Sequence, residues 1–479
     1  MAITSEAYVD GRWLEARSRF AVRDPWDNSE LARVVDADDA MIDLAIDAAV
    51  RAFPAWRVMP GPDRGKLLAR MATAMLDDVD GLAAVCTAEN GKPIAESVAE
   101  VRYAASFFAW FAGEAERSYG ETIPATRAGQ RLVVTREPVG PCALITPWNF
   151  PYAMLTRKLG AALAAGCTTV AKPAEQTPLS ALVLAKIAHD VGVPPGVINV
   201  VPASDGARAG GRLVASPAIR KVSFTGSTEV GRAILRGAAD SIKRVSLELG
   251  GNAPFVVLAD SDLDAAVAGA MIAKFRNTGQ SCVAANRFIV EAPVAEAFAA
   301  KLVAAVAKLV VGRGTDPKAT IGPLIDDDGV AKVRRIVADA IGKGARVLAG
   351  SPPADSTSRA VAPIVLAGIT REMAAWREEI FGPVVALTTA ANEADAIAKA
   401  NDTDAGLVAY LYTRDGERQA RVAEALEAGM IGINEGLVST AQAPFGGVKQ
   451  SGLGREGSRH GTDDYTSLKY MAIHHVAAT

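Results

Sequence analysis

A chain of 479 residues is too long for a single hydrophobic core, so two or three structural units are expected. Half of its residues are hydrophobic and its net charge is −3, which gives no electrostatic reason to expect nucleic acid or an anionic membrane as partner. Four cysteines make no disulfide framework, four histidines lack metal-ligand spacing, and no apolar run reaches membrane-spanning length, so a cytoplasmic protein without a metal site is expected. Met1 to Glu6 shows no basic segment leading into an apolar one, so no secretory signal is expected either.

Ala7-Tyr-Val-Asp-Gly-Arg-Trp13 reads as a strand and tight turn that bends at Asp10-Gly11. Two helices follow, with Ile42, Ile46, Ala49 and Phe53 on one face of the first and Leu67, Leu68, Met71 and Met75 on one face of the second. A third helix is expected from Ala95 to Arg117, where Phe107, Phe108, Trp110 and Phe111 serve helix packing. Thr122 to Glu137 has no helical period. Within it Leu132-Val-Val-Thr135 reads as a strand that pairs with Thr466-Ser-Leu-Lys-Tyr-Met471, and such protruding edges suggest a subunit contact. From residue 140 strands and helices alternate: strands near Ala143, Thr168, Gly196, Ile219 and Arg244, helices near 152–165 and 178–190, and an Ala/Gly-rich helix after Val201. A second alternating block begins at Pro254-Phe-Val-Val-Leu258, and Gly350 to Arg359 is a short loop inside it. The pattern is α/β: doubly wound parallel sheets whose ligands bind beyond the strand carboxyl ends.

Three stretches carry chemistry. Gly279-Gln-Ser-Cys282 sets a thiol in a polar, flexible loop, with Arg276 before it and Arg287 after it. A thiolate nucleophile needs such positive charge or amide donors nearby, although most free cysteines are inert and buried. Glu248, in Leu247-Glu-Leu-Gly-Gly-Asn252, ends an apolar strand 34 residues upstream of Cys282. A strand-end acid facing water is the bland alternative; an acid among apolar residues is the reactive one. Phe224-Thr-Gly226-Ser227-Thr-Glu-Val-Gly231 follows a strand and opens a helix, presenting backbone N–H groups to a phosphate. It is not the GxGxxG fingerprint, and a plain glycine turn is its alternative.

Together these motifs resemble the aldehyde dehydrogenase superfamily over nearly the whole chain, from Gly11-Arg-Trp13 to Ser451-Gly-Leu-Gly-Arg-Glu456. The resemblance implies Cys282 as nucleophile, Glu248 as general base and Asn149, in Thr146-Pro-Trp148-Asn149-Phe-Pro151, as oxyanion donor. It also implies coenzyme contacts from Trp148, Lys172, Glu175, Gly226, Ser227, Glu379 and Phe381. Glu175 beside the adenine ribose favours NAD, with NADP possible. The implied division is a dinucleotide-binding domain over 1–121 and 139–250, a catalytic domain over 251–455, and oligomerisation strands over 122–138 and 456–479. A homodimer or homotetramer follows from those strands.

Within the superfamily the likeness is to the succinate-semialdehyde branch, carried by Asn149 to Lys158, Lys274 to Gln280 and Gly436 to Thr440. It implies that Arg157, Arg276 and Ser439 hold the far carboxylate of the substrate, while Phe445 lines the aldehyde pocket. The forked guanidinium suits a carboxylate, whereas most arginines are merely solvated or salt-bridged. Ala284 stands where many relatives carry a second cysteine, and Asp404-Ala405 replaces an aromatic before Gly406-Leu407, which puts packing there in doubt. Glutarate semialdehyde, a generic aliphatic or aromatic aldehyde, and a catalytically silent binder are the competing readings.

Overall fold

The computed structural model describes residues 4–353 and 358–474. Its first sheet has a parallel centre in the spatial order Ile198–Val200, Thr169–Lys172, Cys142–Ile145, Lys221–Thr225 and Arg244–Glu248. Antiparallel strands close both edges: Ala7–Val9 with Arg12–Leu14 on one side, and Gly452–Leu453 on the other. Every residue of Cys142–Ile145, Thr169–Lys172 and Lys221–Thr225 is buried, as expected for strands covered by helices on both faces. Chain order reverses between Cys142–Ile145 and Lys221–Thr225. The connections leave these two strands toward opposite faces, and the crevice that opens at their carboxyl ends is where such folds bind ligands.

The second sheet repeats the device. Its parallel strands run in the order Ile364–Ala367, Val384–Ala390, Ala285–Glu291, Ala253–Val257, Val408–Tyr412 and Met430–Ile433, with antiparallel Arg346–Ala349 on the edge. The Ala405–Gly406 step, where the aromatic is missing, pairs with Val448–Lys449; Leu407 is buried, and a small cavity lies beside it against Asn252, Ala400 and Thr403.

Gln130–Pro138 pairs antiparallel with Thr466–His474 along its whole length, Pro138 opposite Thr466 and Gln130 opposite His474, while Glu121–Ile123 lies on its other side. Leu468, Tyr470 and Ile473 are exposed on this sheet. The terminal strand begins at Thr466 and not at 456. Residues before it form the short helical turn Arg459–Tyr465, and Glu456 and Tyr465 are buried in the body of the protein. The last residues of the expected segment, 475–479, lie outside the described residues.

Two elements escaped the sequence pattern: the hairpin Arg19–Arg23 with Glu30–Val35, and the helix Val79–Asn90, which stops at Gly91 in the left-handed conformation (φ 85). Among the described residues no helix is long and apolar enough to cross a membrane.

The helix Pro151–Ala165 organises the site. Proline opens it, Gly166 (φ 94) ends it, and all its residues are buried, so it is a core helix with no solvent face. It lies against Ile94–Glu114 so closely that a Cβ on Gly160 would sit 2.8 Å from the Phe111 ring. Overpacking of this kind costs about 1–3 kcal/mol. Gly160→Ala should therefore lower the free energy of unfolding by that amount. Adding Phe111→Leu should make the pair less destabilising than the sum of the singles in urea titrations. Strict additivity would show that the two residues do not meet.

Candidate active site

The helix Leu263–Phe275 ends immediately before the cysteine loop, and the chain turns through three successive left-handed residues, Asn277 (φ 49), Thr278 (φ 59) and Gly279 (φ 78). A β-branched residue at positive φ is strained, and side-chain hydrogen bonds hold it there. Asn277 N donates to Glu96 (2.6 Å) and Asn277 Nδ2 to the Asn149 carbonyl (2.8 Å); Thr278 Oγ1 donates to the Gly322 carbonyl (3.1 Å); Ile325 N donates to Gln280 Oε1 (2.9 Å). The Tyr410 hydroxyl donates to the Val283 carbonyl (2.8 Å), fixing the residue after the thiol. Gly251 is required from the other side, because a Cβ there would lie 2.2 Å from the Cys282 carbonyl oxygen.

Cys282 is a free, half-buried thiol that lines a cavity of about 320 Å³ together with Asn149, Glu248, Trp148 and Phe381. Burial, then the neighbouring Glu379 and Glu248 charges, push this thiol up to about 12 against the opposing pull of Arg157. Arg287 does not help. It donates to the carbonyls of Asn252, Lys399 and Ala400, lies over the Trp376 ring, and is spent on structure.

Asn149 sits at the carboxyl end of Cys142–Ile145, just before the core helix. Its Nδ2 donates to the Gln280 carbonyl (3.1 Å), and the amide's second N–H has no protein acceptor among the described residues. Glu248 ends Arg244–Glu248, on the far side of Lys221–Thr225 from Cys142–Ile145, and is buried, with Oε2 unpartnered. Burial first, then the charge of Glu456, push its carboxyl well above the ordinary value, while Lys158, Arg157 and Arg455 pull it down. Glu456 receives hydrogen bonds from Lys158 and from Arg157 (3.4 Å). Burial works against the ionised form of Glu456, but these two cations outweigh it and hold the carboxyl low. Sequence reasoning missed the Lys158–Glu456 pair. Its only signal was that each residue ends a stretch carrying the family resemblance, Asn149 to Lys158 and Ser451 to Glu456.

The crevice beyond Ile145 and Thr225 is a cavity of about 960 Å³, and it shares Pro147, Trp148, Gly226 and Ser227 with the cysteine cavity. Lys172 and Glu175 line its far end, joined at 3.1 Å, and a Cβ on Gly206 would close to 3.0 Å from Lys172 Nζ. Ser227 Oγ caps the helix Thr228–Ala239 by accepting from Val230 N (3.3 Å), which leaves its own proton and the free N–H groups of that helix start for a phosphate. Glu379 accepts from Gly251 N (2.9 Å), and Phe381 (φ 56) meets Trp148 edge-on at 5.6 Å. Lys332 lines the cysteine cavity as well, and no sequence motif pointed to it. A long cleft with a helix start midway, a ribose-sized carboxylate pocket at each end and an aromatic pair beside the thiol fits a nicotinamide dinucleotide.

The aldehyde dehydrogenase family model matches residues 13–471. The chain belongs to the aldehyde dehydrogenase family. It is 51% identical to the succinate-semialdehyde dehydrogenase [NADP(+)] of Escherichia coli, over 98% of this chain and 97% of that one. It is 50% identical to the glutarate-semialdehyde dehydrogenase of Pseudomonas putida, with 98% and 97% covered. The crystal structure of succinate-semialdehyde dehydrogenase from Burkholderia pseudomallei superposes with a TM-score of 0.97 at 49% identity, covering 98% of each chain.

In this aldehyde dehydrogenase the two arginines singled out by sequence have different surroundings. Arg157 is buried: besides Glu456 it donates to the Tyr103 hydroxyl (3.1 Å), and it lies over Phe107 and, at 4.2 Å, Phe445; its Nε–H is buried without a partner. Arg276 is half-buried over the Phe150 ring at 5.4 Å and makes no hydrogen bond or ion pair among the described residues. Ser439 is half-buried and Phe445 buried.

Because the thiol of the coenzyme-free enzyme is held near 12, its thiolate fraction should grow about tenfold per pH unit through the whole neutral range. Iodoacetamide alkylation of Cys282 should therefore accelerate continuously from pH 7 to beyond pH 9. A plateau below pH 8 would show a preformed thiolate.

Proposed function

We propose that the protein oxidises succinate semialdehyde to succinate with a nicotinamide dinucleotide, NAD in preference to NADP. The observation that carries the substrate is Arg276, a half-buried cation that makes no hydrogen bond or salt bridge among the described residues and has Glu96 as a more distant charge, six residues before Cys282. A guanidinium in that state is satisfied by a carboxylate, which it grips through two parallel N–H groups. The unpartnered Nε–H of Arg157 and the hydroxyl of Ser439 are further donors for the same group.

The Cys282 thiolate attacks the aldehyde carbon and forms a thiohemiacetal. The oxygen that gains charge is met by the second N–H of Asn149 and the Cys282 backbone N–H. The coenzyme, when bound, supplies the hydride acceptor. Trp148, Phe381 and Glu379 would hold its nicotinamide end, Ser227 and Gly226 its pyrophosphate, and Lys172 and Glu175 its adenine ribose. Departure of the hydride leaves a thioester on Cys282. Glu248 then takes a proton from the water that attacks this thioester, releasing the acid and regenerating the thiolate. A carboxyl raised by burial is the stronger base once ionised, and ionisation becomes easier as pH rises. The exposed strand Thr466–His474 supplies the contact of a homodimer or homotetramer, and free thiols throughout suit the cytoplasm.

The five-carbon homologue, glutarate semialdehyde, is the second reading, favoured by the Pseudomonas putida relative. One methylene changes selectivity by only about 1–3 kcal/mol.

Initial rates with succinate semialdehyde, glutarate semialdehyde and butanal test the substrate class. Both semialdehydes should be preferred by the wild-type enzyme. Arg276→Ala should lose about 2–5 kcal/mol of kcat/KM toward them while changing butanal little. Equal losses for all three would make Arg276 a support of the loop.

Coenzyme choice is read from kcat/KM with NAD and with NADP. Glu175 should favour NAD, since a carboxylate accepts from a ribose 2′-hydroxyl and repels a 2′-phosphate, with Lys172 tempering the repulsion. Glu175→Ser should shift the ratio toward NADP. Wild-type parity or an NADP preference would defeat this part of the reading.

A further inference from the structure

Asn149 is aimed by groups that none of the chemistry above uses. The segment Trp148 to Ala153 is clamped at four backbone sites by the end of helix Val79–Asn90, the turn after it and helix Ile94–Glu114. Asn90 Nδ2 donates to the Trp148 carbonyl (2.9 Å), and Lys92 Nζ donates to the Asn149 carbonyl (2.7 Å). Glu100 Oε1 accepts from Tyr152 N (3.0 Å) and Ala153 N (3.4 Å), the opening N–H groups of the core helix. Lys92 and Glu100 are themselves an ion pair with no side-chain exposure to speak of, and the Lys92 ammonium lies 4.2 Å from the centre of the Phe150 ring. The Asn149 carbonyl thus receives Lys92 from one domain and Asn277, of the cysteine loop, from the other.

We infer that Lys92 is a positioning residue for the oxyanion site: its ammonium fixes the Asn149 peptide so that the side-chain amide faces the oxygen that gains charge when Cys282 attacks. This rests on the reading of Asn149 as oxyanion donor. A plain structural role is the competing account, because a buried ion pair with one partner removed destabilises any protein. Two features favour positioning. The lysine spends one donor on the backbone of the very residue that must be aimed, where an ion pair serving the core alone would need only Glu100. The adjacent Asn90 makes the same kind of contact one residue earlier, so the turn holds consecutive carbonyls on the strand end that carries the donor. A displacement of the order of 1 Å in such a group costs roughly 100-fold in rate.

The experiment separates aim from stability by neutralising the pair. Lys92→Met leaves Glu100 uncompensated, whereas Lys92→Met with Glu100→Gln removes both charges and keeps an acceptor for Tyr152 N. Three quantities are measured on the full-length enzyme: the thermal midpoint, the pre-steady-state burst of reduced coenzyme with succinate semialdehyde, and the rate of Cys282 alkylation by iodoacetamide, which needs no oxyanion donor. The double variant should regain most of the midpoint lost by the single one. Its burst should stay about 100-fold slow, and alkylation should match wild type. A burst restored along with the midpoint overturns the inference, as does alkylation falling in step with the burst, since Lys92 would then act on the cysteine loop as a whole. Asn149→Ala serves as reference. If it keeps a wild-type burst, the oxyanion reading itself falls; if it slows the burst while the Lys92 variants do not, only the positioning role falls.

Discussion

The chain's most demanding local requirement is the run Asn277-Thr278-Gly279, three consecutive left-handed residues ahead of the nucleophile. Strain at the two non-glycine positions costs of the order of 1–3 kcal/mol each, so the loop persists only where its surroundings over-determine it. They do so from four directions: Glu96 on one helix, the Asn149 carbonyl of the first sheet, Gly322, and the Gln280 side chain bonded to Ile325 N. Both domains contribute, so the thiol acquires its place only when they are packed together. This explains why the loop is rich in amides and hydroxyls. Each side chain offsets strain with a hydrogen bond that a hydrophobic residue could not make.

The buried charges behind the thiol obey a similar economy. Arg157 and Lys158 are two cations, and Glu456 answers one of them fully. Arg455 adds a third cation, so positive charge remains for an ionised Glu248 to answer. Desolvation pulls the other way and prevails, which places the carboxyl well above its ordinary value. The two carboxyls nearest the thiol bear on it in turn, since a negative charge on Glu379 or on Glu248 raises Cys282.

The fold was legible where pattern and burial coincide. The fully buried strands around Cys142, Thr169 and Lys221 and the tight turn at Asp10-Gly11 all announce themselves by composition. The hairpin at Arg19–Val35 did not, since its strands mix exposed arginines with buried valines and imitate a loop. The helix Val79–Asn90 hides for a different reason: buried Glu89 and Asn90 spend their side chains on other segments, so its inner face is not apolar. The candidate residues Cys282, Glu248 and Asn149 stand in motifs, but the partners that surround them do not. Lys92 with Asn149 and Lys158 with Glu456 lie far apart in sequence, and only the crossing of helices brings them together.

Sequence treated Arg157 and Arg276 as equivalent carboxylate readers, and the structure distinguishes them by what each already holds. Arg157 has surrendered one donor to Glu456 and another to Tyr103, is enclosed by two rings, and can offer a ligand only its remaining N–H groups. Arg276 has surrendered none; it keeps the face of Phe150 and feels Glu96 only as a charge beyond hydrogen-bond reach. A charge already neutralised at close range contributes little field to a second anion, while an unpaired one in a partly desolvated site contributes strongly. Arg276 should therefore dominate recognition of the carboxylate, and Arg157 the shape of the pocket through its hold on Phe445.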